Sequence, residues 1–276
     1  KKVKLRKRAL EAIDTVHWIP EASKKRIQTM VANRPDWNIS RQRAWGTPLT
    51  LFINKATGEL LRDHEVIDRI VKAVETESSD VWYTADPAHF LGPKYNPEDY
   101  EQVQDILDVW FDSGSTQSFV LRHRPELHWP AHLYLEGSDQ HRGWFQTSLL
   151  VACGTVHAAP YKEVLTHGFI VGEDGRKMSK SAGDAVSPQT VTHTMGADIL
   201  RLWVVSSDFY EDLRVSPEIL KRQQDIYRRY RNTLRYLLGA LAGFSEDEKI
   251  EYDQMPELEK WVLHRLYEID QKVREA

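Results

Sequence analysis

Apolar residues recur at helical spacing in several separate stretches of this chain, and shorter apolar runs lie between them. The helical spacing predicts helices over residues 5–13, 21–31, 66–76 and 140–153. The shorter runs predict strands at residues 49–53, 106–111, 133–135 and 163–170. Strands that alternate with helices are typical of an α/β protein with a parallel sheet, and this is the fold class that we expect.

The pattern changes after Pro217, where apolar residues stay on one helix face as far as Leu237. A further helical pattern reaches the end of the chain, so the sequence predicts a second, all-helical domain. Residues 86–99 are rich in Pro, Gly, Asn and Asp, which predicts a long surface loop. Because the chain begins without methionine and ends inside a helical pattern, we expect both ends to be cut from a longer polypeptide.

The composition excludes some kinds of site but does not indicate a function. The 276 residues are 41% hydrophobic and carry a net charge of −4, so the total charge does not indicate a nucleic-acid partner. Cys153 is the single cysteine, which excludes a disulfide and any cysteine-based zinc site within this chain. We expect Cys153 to be a buried small apolar residue. Since the sequence has no bilayer-spanning apolar run and no signal peptide, we expect no membrane association and a cytoplasmic location.

The strongest candidate for chemistry is the pentapeptide Lys177-Met178-Ser179-Lys180-Ser181, which has glycines on both sides. Two ammonium groups and two hydroxyls on such a loop can surround a polyphosphate, because the glycines permit close backbone approach. An arbitrary pair of lysines at this spacing is more often a solvated basic turn. The full pentapeptide resembles the KMSKS signature of class I aminoacyl-tRNA synthetases, which favours the phosphate-binding interpretation.

A second candidate site lies at residues 134–145, where a short predicted strand is followed by a helix. Open α/β folds bind their ligands at this carboxyl edge of the sheet. Glu136 and Asp139 can accept hydrogen bonds from ribose hydroxyls or an ammonium group, although Ser138 or Asp139 can equally be a helix N-cap. The letters EGSDQHRGWF, which begin at Glu136, resemble the adenylate-binding segment of isoleucyl-tRNA synthetases.

Other segments agree with that family. Residues 34–46 resemble the part that re-enters the catalytic domain after an editing insertion, and residues 105–114 resemble the next strand. Residues 166–169 resemble the strand before the signature loop, and residues 196–203 resemble the helix that leads to the anticodon-binding domain. Valyl and leucyl enzymes share some of these elements, but the combination of WFDSG and EGSDQHRGWF favours isoleucine. Asn38 and Asp184 depart from the residues common in the family.

The resemblance implies a Rossmann-like parallel sheet, the second half of a class I catalytic domain, followed by an α-helical bundle. It implies the ligase reaction of an isoleucine--tRNA ligase, in which the isoleucine carboxylate attacks the α-phosphorus of ATP and pyrophosphate leaves. A hydroxyl of the terminal tRNA adenosine then captures the adenylate. The implied partners are isoleucine tRNA, isoleucine and ATP, with Mg²⁺ accompanying ATP and no protein nucleophile.

The resemblance also implies roles for individual residues. Lys177 and Lys180 are the expected catalytic residues, on the pyrophosphate side. The expected ATP- and adenylate-binding residues are Glu136, Gly137, Asp139, Gln140, His167, Met178, Ser179, Lys180 and Ser181. Trp110 and Trp144 are expected to form walls of the isoleucine side-chain pocket.

Several of these assignments have a structural alternative. Tryptophans such as Trp110 and Trp144 are usually core residues, and His167 can be a core histidine with satisfied hydrogen bonds. Arg41 and Arg43 can face phosphate or tRNA, or they can pair with Asp36 and nearby acids.

One expected motif is missing, because HxGH does not occur in the sequence. Synthetases of this class use it to hold the ATP phosphates, so we expect this chain to lack half of the ATP site. The missing amino-terminal half of the same polypeptide is then a required partner, and the chain alone is expected to be inactive. Two alternatives remain open: a non-catalytic tRNA- or nucleotide-binding module, and another nucleotidylyltransferase with the same fold.

These interpretations divide the chain into segments with separate roles. The expected divisions are 1–33, a helical connector from the missing editing insertion; 34–55, the catalytic re-entry; 56–104, a small insertion; 105–170, the second half of the Rossmann-like domain; 171–216, the KMSKS loop and connecting region; and 217–276, the start of the anticodon-binding domain.

Overall fold

The structure is a computed structural model that describes residues 4–176, 178 and 186–276. These residues form two compact units. The first unit contains the described residues up to Met178 together with Asp208–Arg214, and the second contains those of Ser179–Ser207 and Val215–Ala276.

The first unit is built from helices, strands and short helical turns. Its α-helices are α1 (Leu5–Ile13), α2 (Ala22–Ala32), α3 (His64–Glu77), α4 (Val81–Thr84), α5 (Pro87–Leu91), α6 (Val109–Thr116) and α7 (Trp144–Thr155). Its strands are β1 (His17–Ile19), β2 (Ser40–Arg41), β3 (Phe52–Asn54), β4 (Tyr100–Gln102), β5 (Ile106–Leu107), β6 (Ala131–Gly137), β7 (Tyr161–His167), β8 (Ile170–Val171) and β9 (Leu213–Arg214). The helical turns are 3₁₀ helices at Pro97–Asp99 and Ser138–His141 and a π-helix at Gln117–Leu121.

A three-stranded parallel sheet in the order β1-β7-β6 organises this unit. Trp18 and Tyr134 both pair with Val164, so these side chains lie on one face of the sheet. All three are buried, in a core that also contains side chains of α1, α2 and α7. On the opposite face Leu133 and Leu135 are 44% and 52% exposed. The predicted α/β class with a parallel sheet is confirmed.

Apolar periodicity explains why the helices cover this face. Helix α7 follows β6 and buries Phe145, Leu149 and Cys153 in the core. The expectation that Cys153 is a buried apolar residue is therefore confirmed. Each fully buried large apolar side chain contributes about 1.5–3 kcal/mol relative to exposure, so this layer is a main source of stability.

The predicted surface loop at residues 86–99 is wrong in part. Residues 87–91 form helix α5, capped by the Asp86 side chain, which accepts from the Ala88 N–H. Phe90 and Leu91 are fully buried in a second core with Trp82. The Pro, Gly, Asn and Asp residues typical of loops border this helix, so the composition of the segment indicated a loop. The apolar residues Phe90 and Leu91 form a helix because the tertiary fold buries them.

The prediction of a strand over residues 106–111 is also partly wrong. Only Ile106–Leu107 is a strand, and it pairs antiparallel with β2 outside the parallel sheet. Asp108 ends the strand and starts α6, because its carboxylate accepts a hydrogen bond from the Trp110 N–H.

The second unit is helical throughout its regular structure. Its helices are α8 (Pro188–Thr194), α9 (Ala197–Val205), α10 (Pro217–Ala240) and α11 (Glu257–Glu275), with short 3₁₀ turns at Glu246–Glu248 and Tyr252–Gln254. Ser216 caps α10 by accepting from the Ile219 N–H. Val191, Ile199, Trp203 and Leu220 are buried, whereas apolar side chains of α10 and α11, such as Leu234 and Leu266, are exposed.

Within the part of the chain that the structure describes, none of the helices is both long enough and apolar enough to cross a membrane.

Candidate active site

The carboxyl ends of the parallel strands β6 and β7 bring several of the predicted site residues together. Gly137 at the end of β6 pairs with His167 at the end of β7, and Glu136 pairs with Thr166 one position earlier. The 3₁₀ turn Ser138–His141 follows directly and carries Asp139 and Gln140. Five predicted residues from two distant segments therefore lie at one edge of the sheet.

Gly137 allows the Asp139 carboxylate to lie close to the backbone at this edge. A Cβ atom at Gly137 would lie 2.7 Å from Asp139 Oδ1 and 3.8 Å from His167 Cε1. Any side chain there would thus clash with the carboxylate, whereas the imidazole lies at ordinary van der Waals distance. Gly137 is itself buried, and the absence of a side chain is what allows the Asp139 carboxylate to pack against the backbone there.

One ring nitrogen of His167 is engaged in a hydrogen bond within the protein. Its Nδ1 lies 2.7 Å from the Gly168 carbonyl oxygen. Because a carbonyl only accepts, Nδ1 carries the proton, and Nε2 of the neutral ring is an acceptor. His167 is partly exposed rather than fully buried, and a contact with the nucleotide stays a prediction.

Gln140 caps the start of α7, a role that the sequence interpretation offered to Ser138 or Asp139. Its Oε1 accepts from the Trp144 N–H at 2.9 Å, at the start of α7, and its Nε2 donates to Asp139 Oδ2 at 3.1 Å. Neither Ser138 nor Asp139 caps this helix by its side chain, so the N-cap alternative for these two residues is wrong. Asp139 is exposed and keeps acceptor capacity for a ligand.

His141 supports the turn from below. It is buried, and its Nδ1 donates to the Ser138 carbonyl at 2.7 Å. Burial lowers the pKa of His141, so the ring is neutral at physiological pH and holds the turn without adding charge.

Trp110 and Trp144 approach this turn from two helices. Trp144 stacks on buried Tyr134 with ring centroids 4.0 Å apart, and its Nε1 donates to the Ser113 carbonyl at 3.1 Å. Trp110 is 43% exposed, and its ring passes so close to Gly143 that a Cβ there would lie 3.0 Å from it. Trp144 is thus anchored in the protein, whereas Trp110 offers a free ring surface beside the turn.

Asp108 is the residue at this site that the sequence interpretation missed. It is 5% exposed, and one oxygen accepts from Trp37 Nε1 at 3.0 Å and from Arg41 Nη2, while the other accepts from the Trp110 N–H at 2.9 Å. Burial raises the pKa of Asp108, but these hydrogen bonds and the charges of Arg41 and Arg34 outweigh it, so the pKa lies below its usual range. The sequence did contain a signal for this role: an aspartate two residues before Trp110 has the position of a helix N-cap, whose side chain accepts from the N–H two residues later.

The structure distinguishes Arg41 from Arg43, which the sequence allowed either to face phosphate or tRNA or to pair with nearby acids. Arg41 pairs with Asp108 rather than with Asp36, so a nearby acid neutralises it. Arg43 is exposed and makes no ion pair with any residue that the structure describes.

Most of the predicted lysine loop lies outside the described residues. This applies to Lys177, Ser179, Lys180 and Ser181, while Met178 is described and partly buried. The preceding turn is well defined: the Gly172 N–H donates to the Arg176 carbonyl at 2.8 Å, and the Arg176 N–H donates to Asp174 Oδ1 at 2.9 Å.

The described part of the chain does not contain a cluster of side chains suited to a metal ion. In residues 4–176, 178 and 186–276, no group of three or more His, Cys, Asp or Glu side chains could hold a metal ion. These side chains do not form a Mg²⁺ site.

The arrangement can bind a polar ligand next to an apolar one. Carboxylates of Glu136 and Asp139 and the acceptor of His167 suit hydroxyl and amino groups. The ring of Trp110 beside the same turn suits an aliphatic group. No nucleophile with a general base is assembled among these residues, which favours chemistry by positioning.

Comparison with known proteins agrees with this geometry. A family model described as tRNA synthetases class I (I, L, M and V) matches residues 1–216. The chain is 57% identical to the isoleucine--tRNA ligase of Gluconobacter oxydans over 96% of its own length and 28% of that protein. It is 57% identical to the isoleucine--tRNA ligase of Zymomonas mobilis over 99% of its length and 29% of that protein. The chain therefore spans less than a third of the curated relatives that it matches.

Solved structures support the fold. A LeuRS from Agrobacterium radiobacter, solved in a ternary complex with tRNA and LeuAMS, matches with a TM-score of 0.55 at 18% identity. The match covers 79% of this chain and 30% of the LeuRS chain. A Mycobacterium tuberculosis methionyl-tRNA synthetase in complex with methionyl-adenylate has a TM-score of 0.51 at 18% identity, over 79% of this chain and 35% of its own.

Proposed function

This chain belongs to the class I tRNA synthetases of the I, L, M and V group, and we propose that it is part of the catalytic region of an isoleucine--tRNA ligase. The observation that carries the proposal is the meeting of Gly137, Asp139 and His167 at the carboxyl ends of β6 and β7, beside Trp110. The identity of 57% to isoleucine--tRNA ligases over nearly the whole chain supports isoleucine as the amino acid.

In the proposed reaction, the isoleucine carboxylate attacks the α-phosphorus of ATP, pyrophosphate leaves, and a tRNA hydroxyl then captures the adenylate. Glu136, Gly137, Asp139 and Gln140 hold the adenylate, and the Nε2 atom of His167 accepts a hydrogen bond from it. Trp110 and Trp144 form walls for the isoleucine side chain. Catalysis rests on holding the reacting groups in place, since no protein nucleophile takes part.

The lysine loop completes the proposal on the pyrophosphate side. Lys177 and Lys180 supply mobile positive charge as negative charge develops on the phosphate oxygens, and Met178, Ser179 and Ser181 line the same loop. These roles come from the KMSKS motif of the family. Mg²⁺ accompanies ATP in this proposal through the phosphates.

The segment roles belong to the same proposal. Residues 1–33 connect to an editing insertion, 34–55 re-enter the catalytic domain, and 56–104 form a small insertion. Residues 105–170 contribute the second half of the Rossmann-like domain, 171–216 the signature loop and its connection, and 217–276 the start of the anticodon-binding domain. Isoleucine tRNA, an amino-terminal half with the HxGH motif and a cytoplasmic setting complete the proposal.

A second candidate function is a non-catalytic module that binds tRNA or a nucleotide. The absence of HxGH from the sequence is the observation that favours it. The two candidates differ in turnover, because a module would bind isoleucyl-adenylate analogues without forming adenylate even in its full-length polypeptide.

The decisive experiment is amino-acid-dependent exchange of labelled pyrophosphate into ATP by the full-length polypeptide that contains this chain. Isoleucine is expected to support exchange at the lowest concentration. Valine is the strongest expected competitor, because a hydrophobic pocket discriminates one methylene only modestly. Exchange that depends on leucine or methionine instead of isoleucine would refute the assignment, and binding without exchange would favour the module.

Lys180→Ala in the same polypeptide tests the role of the loop. We expect exchange to slow by about 10²–10³-fold, because the ammonium group acts mainly on charge that develops in the transition state. The dissociation constant of isoleucine should stay within about twofold. Equal losses in the exchange rate and in isoleucine affinity would contradict the pyrophosphate role.

A further inference from the structure

Asp108 connects two segments that are far apart in sequence. Its carboxylate accepts from the side chains of Trp37 and Arg41, on the segment before and within β2, and from the backbone N–H of Trp110 in α6. Its own N–H donates to the Ile39 carbonyl at 2.7 Å. One residue thus fastens the first turn of α6 to residues about 70 positions earlier.

This carboxylate is enclosed and fully engaged. Asp108 is 5% exposed, Arg41 neutralises it, and Arg34 adds a second guanidinium that lies 5.2 Å over the Trp37 ring. A buried carboxylate in such a network has one favourable geometry, because any displacement leaves a charge or an N–H without its partner. Asp108 therefore holds the residues that touch it in fixed positions.

Trp110 needs such support because burial does not hold it. Its side chain is 43% exposed, in contrast to Trp144, which stacks on Tyr134 and donates to the Ser113 carbonyl. The backbone of Trp110 is fixed by Asp108, and its ring lies against Gly143, where a Cβ would approach within 3.0 Å. The same Cβ would lie 2.5 Å from Gln140 Oε1, so the ring is adjacent to the adenylate-binding turn.

We propose that Asp108 is a positioning residue for isoleucine recognition: its carboxylate sets the start of α6 and thereby aims the exposed ring of Trp110 at the branched aliphatic side chain of the substrate. This inference rests on the proposed function, since Trp110 is a pocket wall only in an isoleucine-activating enzyme. Asp108 acts through Trp110 and makes no contact with the ligand. Its loss alters recognition of the amino acid and leaves the ATP contacts of the β6 and β7 ends in place.

The geometry also distinguishes positioning from a general stabilising role. Asp63 is a matched carboxylate in the small insertion: it caps α3 by accepting from the Glu65 N–H at 2.9 Å and also accepts from Lys94 and Tyr95. Asp63 accepts from Tyr95, which packs against the second core that contains Trp82. Its removal breaks a comparable network without touching the candidate site.

The test measures pyrophosphate exchange and thermal unfolding of the full-length polypeptide with Asp108→Ala, Asp108→Asn and Asp63→Ala. Asp108→Ala is expected to raise the isoleucine KM by about 10- to 100-fold, since a small misplacement of a binding group has effects of this size. The ATP KM should stay within about twofold. Asp108→Asn keeps an acceptor for the Trp110 N–H but turns its amide N–H₂ toward the Trp37 and Arg41 donors, so it should recover only part of the loss. Asp63→Ala should lower the Tm with neither KM changed.

Trp37→Phe and fluorine NMR cover the case in which Asp108→Ala does not fold. Trp37→Phe keeps an aromatic ring but removes one donor to Asp108, so it should raise the isoleucine KM in the same direction by less. With 5-fluorotryptophan, the Trp110 resonance, assigned by Trp110→Phe, should shift in the Asp108 variants and not in Asp63→Ala.

Three results would overturn the proposal: equal changes in both KM values, a lower Tm with an unchanged isoleucine KM, or an unmoved Trp110 resonance. The unaltered polypeptide separates this failure from that of the proposed function. If it showed no isoleucine-dependent exchange, the function would fail, and the Trp110 resonance would decide the positioning of the ring by itself.

Discussion

Polar side chains at the candidate site use part of their hydrogen-bonding capacity within the protein. Gln140 Oε1 accepts from the Trp144 N–H, its Nε2 donates to Asp139 Oδ2, and His167 Nδ1 donates to the Gly168 carbonyl oxygen. The atoms that remain for a ligand are therefore oriented in advance. Preorganised donors and acceptors of this kind do not have to reorganise when the substrate reacts.

Cys153 illustrates a residue whose chemistry burial suppresses. The thiol is fully buried beside the Ala158 carbonyl, and burial raises its pKa to about 11. The folded state thus keeps the proton that an unfolded thiol loses near pH 8.5. As pH rises from there toward 11, the unfolded state binds fewer protons than the folded state, and the free energy of unfolding falls.

We expect Cys153 to react with iodoacetamide at pH 8 at least ~100-fold more slowly in the folded protein than in denaturant, because little thiolate is present. Mass spectrometry of the peptide that contains Cys153 measures this rate separately from any other cysteine. Equal rates in both conditions would contradict the burial and its effect on the thiol.

Trp110 and Trp144 form a contrasting pair. Trp144→Ala removes a ring stacked 4.0 Å from buried Tyr134 and should destabilise the protein by about 3 kcal/mol. Trp110→Ala removes a ring that is 43% exposed and should change stability by about 1 kcal/mol or less. In exchange assays both variants should raise the isoleucine KM and leave the ATP KM within about twofold. Normal isoleucine kinetics with large losses of Tm in both would identify them as core residues only.

At the scale of secondary-structure elements, the end of β7 is fixed by the segment that contains β9. The Gly168 N–H donates to the Phe209 carbonyl at 2.9 Å, and the Phe169 N–H donates to Asp212 Oδ1 at 2.8 Å. Strand β8 then pairs with β9 in parallel. This connection sets where the chain leaves His167 on its way to the lysine loop.

Gly168→Ala tests this connection. A Cβ at Gly168 would lie 2.2 Å from the Glu211 carbonyl oxygen, so the backbone of residues 208–214 must move. We expect a loss of about 1–3 kcal/mol in unfolding free energy, with faster hydrogen exchange in residues 208–214. Gly154→Ala in α7 is the matched control, because its Cβ would lie no nearer than 3.9 Å to a neighbouring atom, Leu5 Cδ1. The control should stabilise by up to about 1 kcal/mol, and a similar loss in both would refute the backbone clash.

At the scale of the whole molecule, the parallel sheet has an uncovered face. Strand β6 lies at one edge of the sheet of described residues, and Leu133 and Leu135 are exposed on the face opposite the helices. An exposed edge and an apolar face invite association with other chains. The chain also spans less than a third of the relatives that it matches.

We expect the isolated chain to catalyse no useful isoleucine-dependent pyrophosphate exchange. Phosphate positioning in this proposal needs the missing HxGH half, and an acceleration based on positioning falls steeply when one side is absent. Weak binding of an isoleucyl-adenylate analogue should survive through Glu136, Asp139 and Trp110. Adding the amino-terminal half should restore exchange. Robust exchange by the chain alone would show that the essential ATP contacts are misplaced.

Local pattern was sufficient for much of this protein. The helix at Leu5–Ile13 and the long helix at Pro217–Ala240 follow from apolar periodicity, because each buries or aligns one face at a spacing set by the helix itself. The motifs at residues 136–145 and 177–181 likewise indicated the family from their order alone. These features depend on residues that are close in sequence.

Tertiary structure decided the features that depend on distant residues. Phe90 and Leu91 form a helix in a core with Trp82, although their neighbours are typical of a loop. Arg41 pairs with Asp108 rather than Asp36, because β2 and β5 pair across 67 positions of the chain. The energy of burying a side chain or a charge depends on the groups that meet it in space. Those groups are distant in the sequence, so a local pattern does not reveal them.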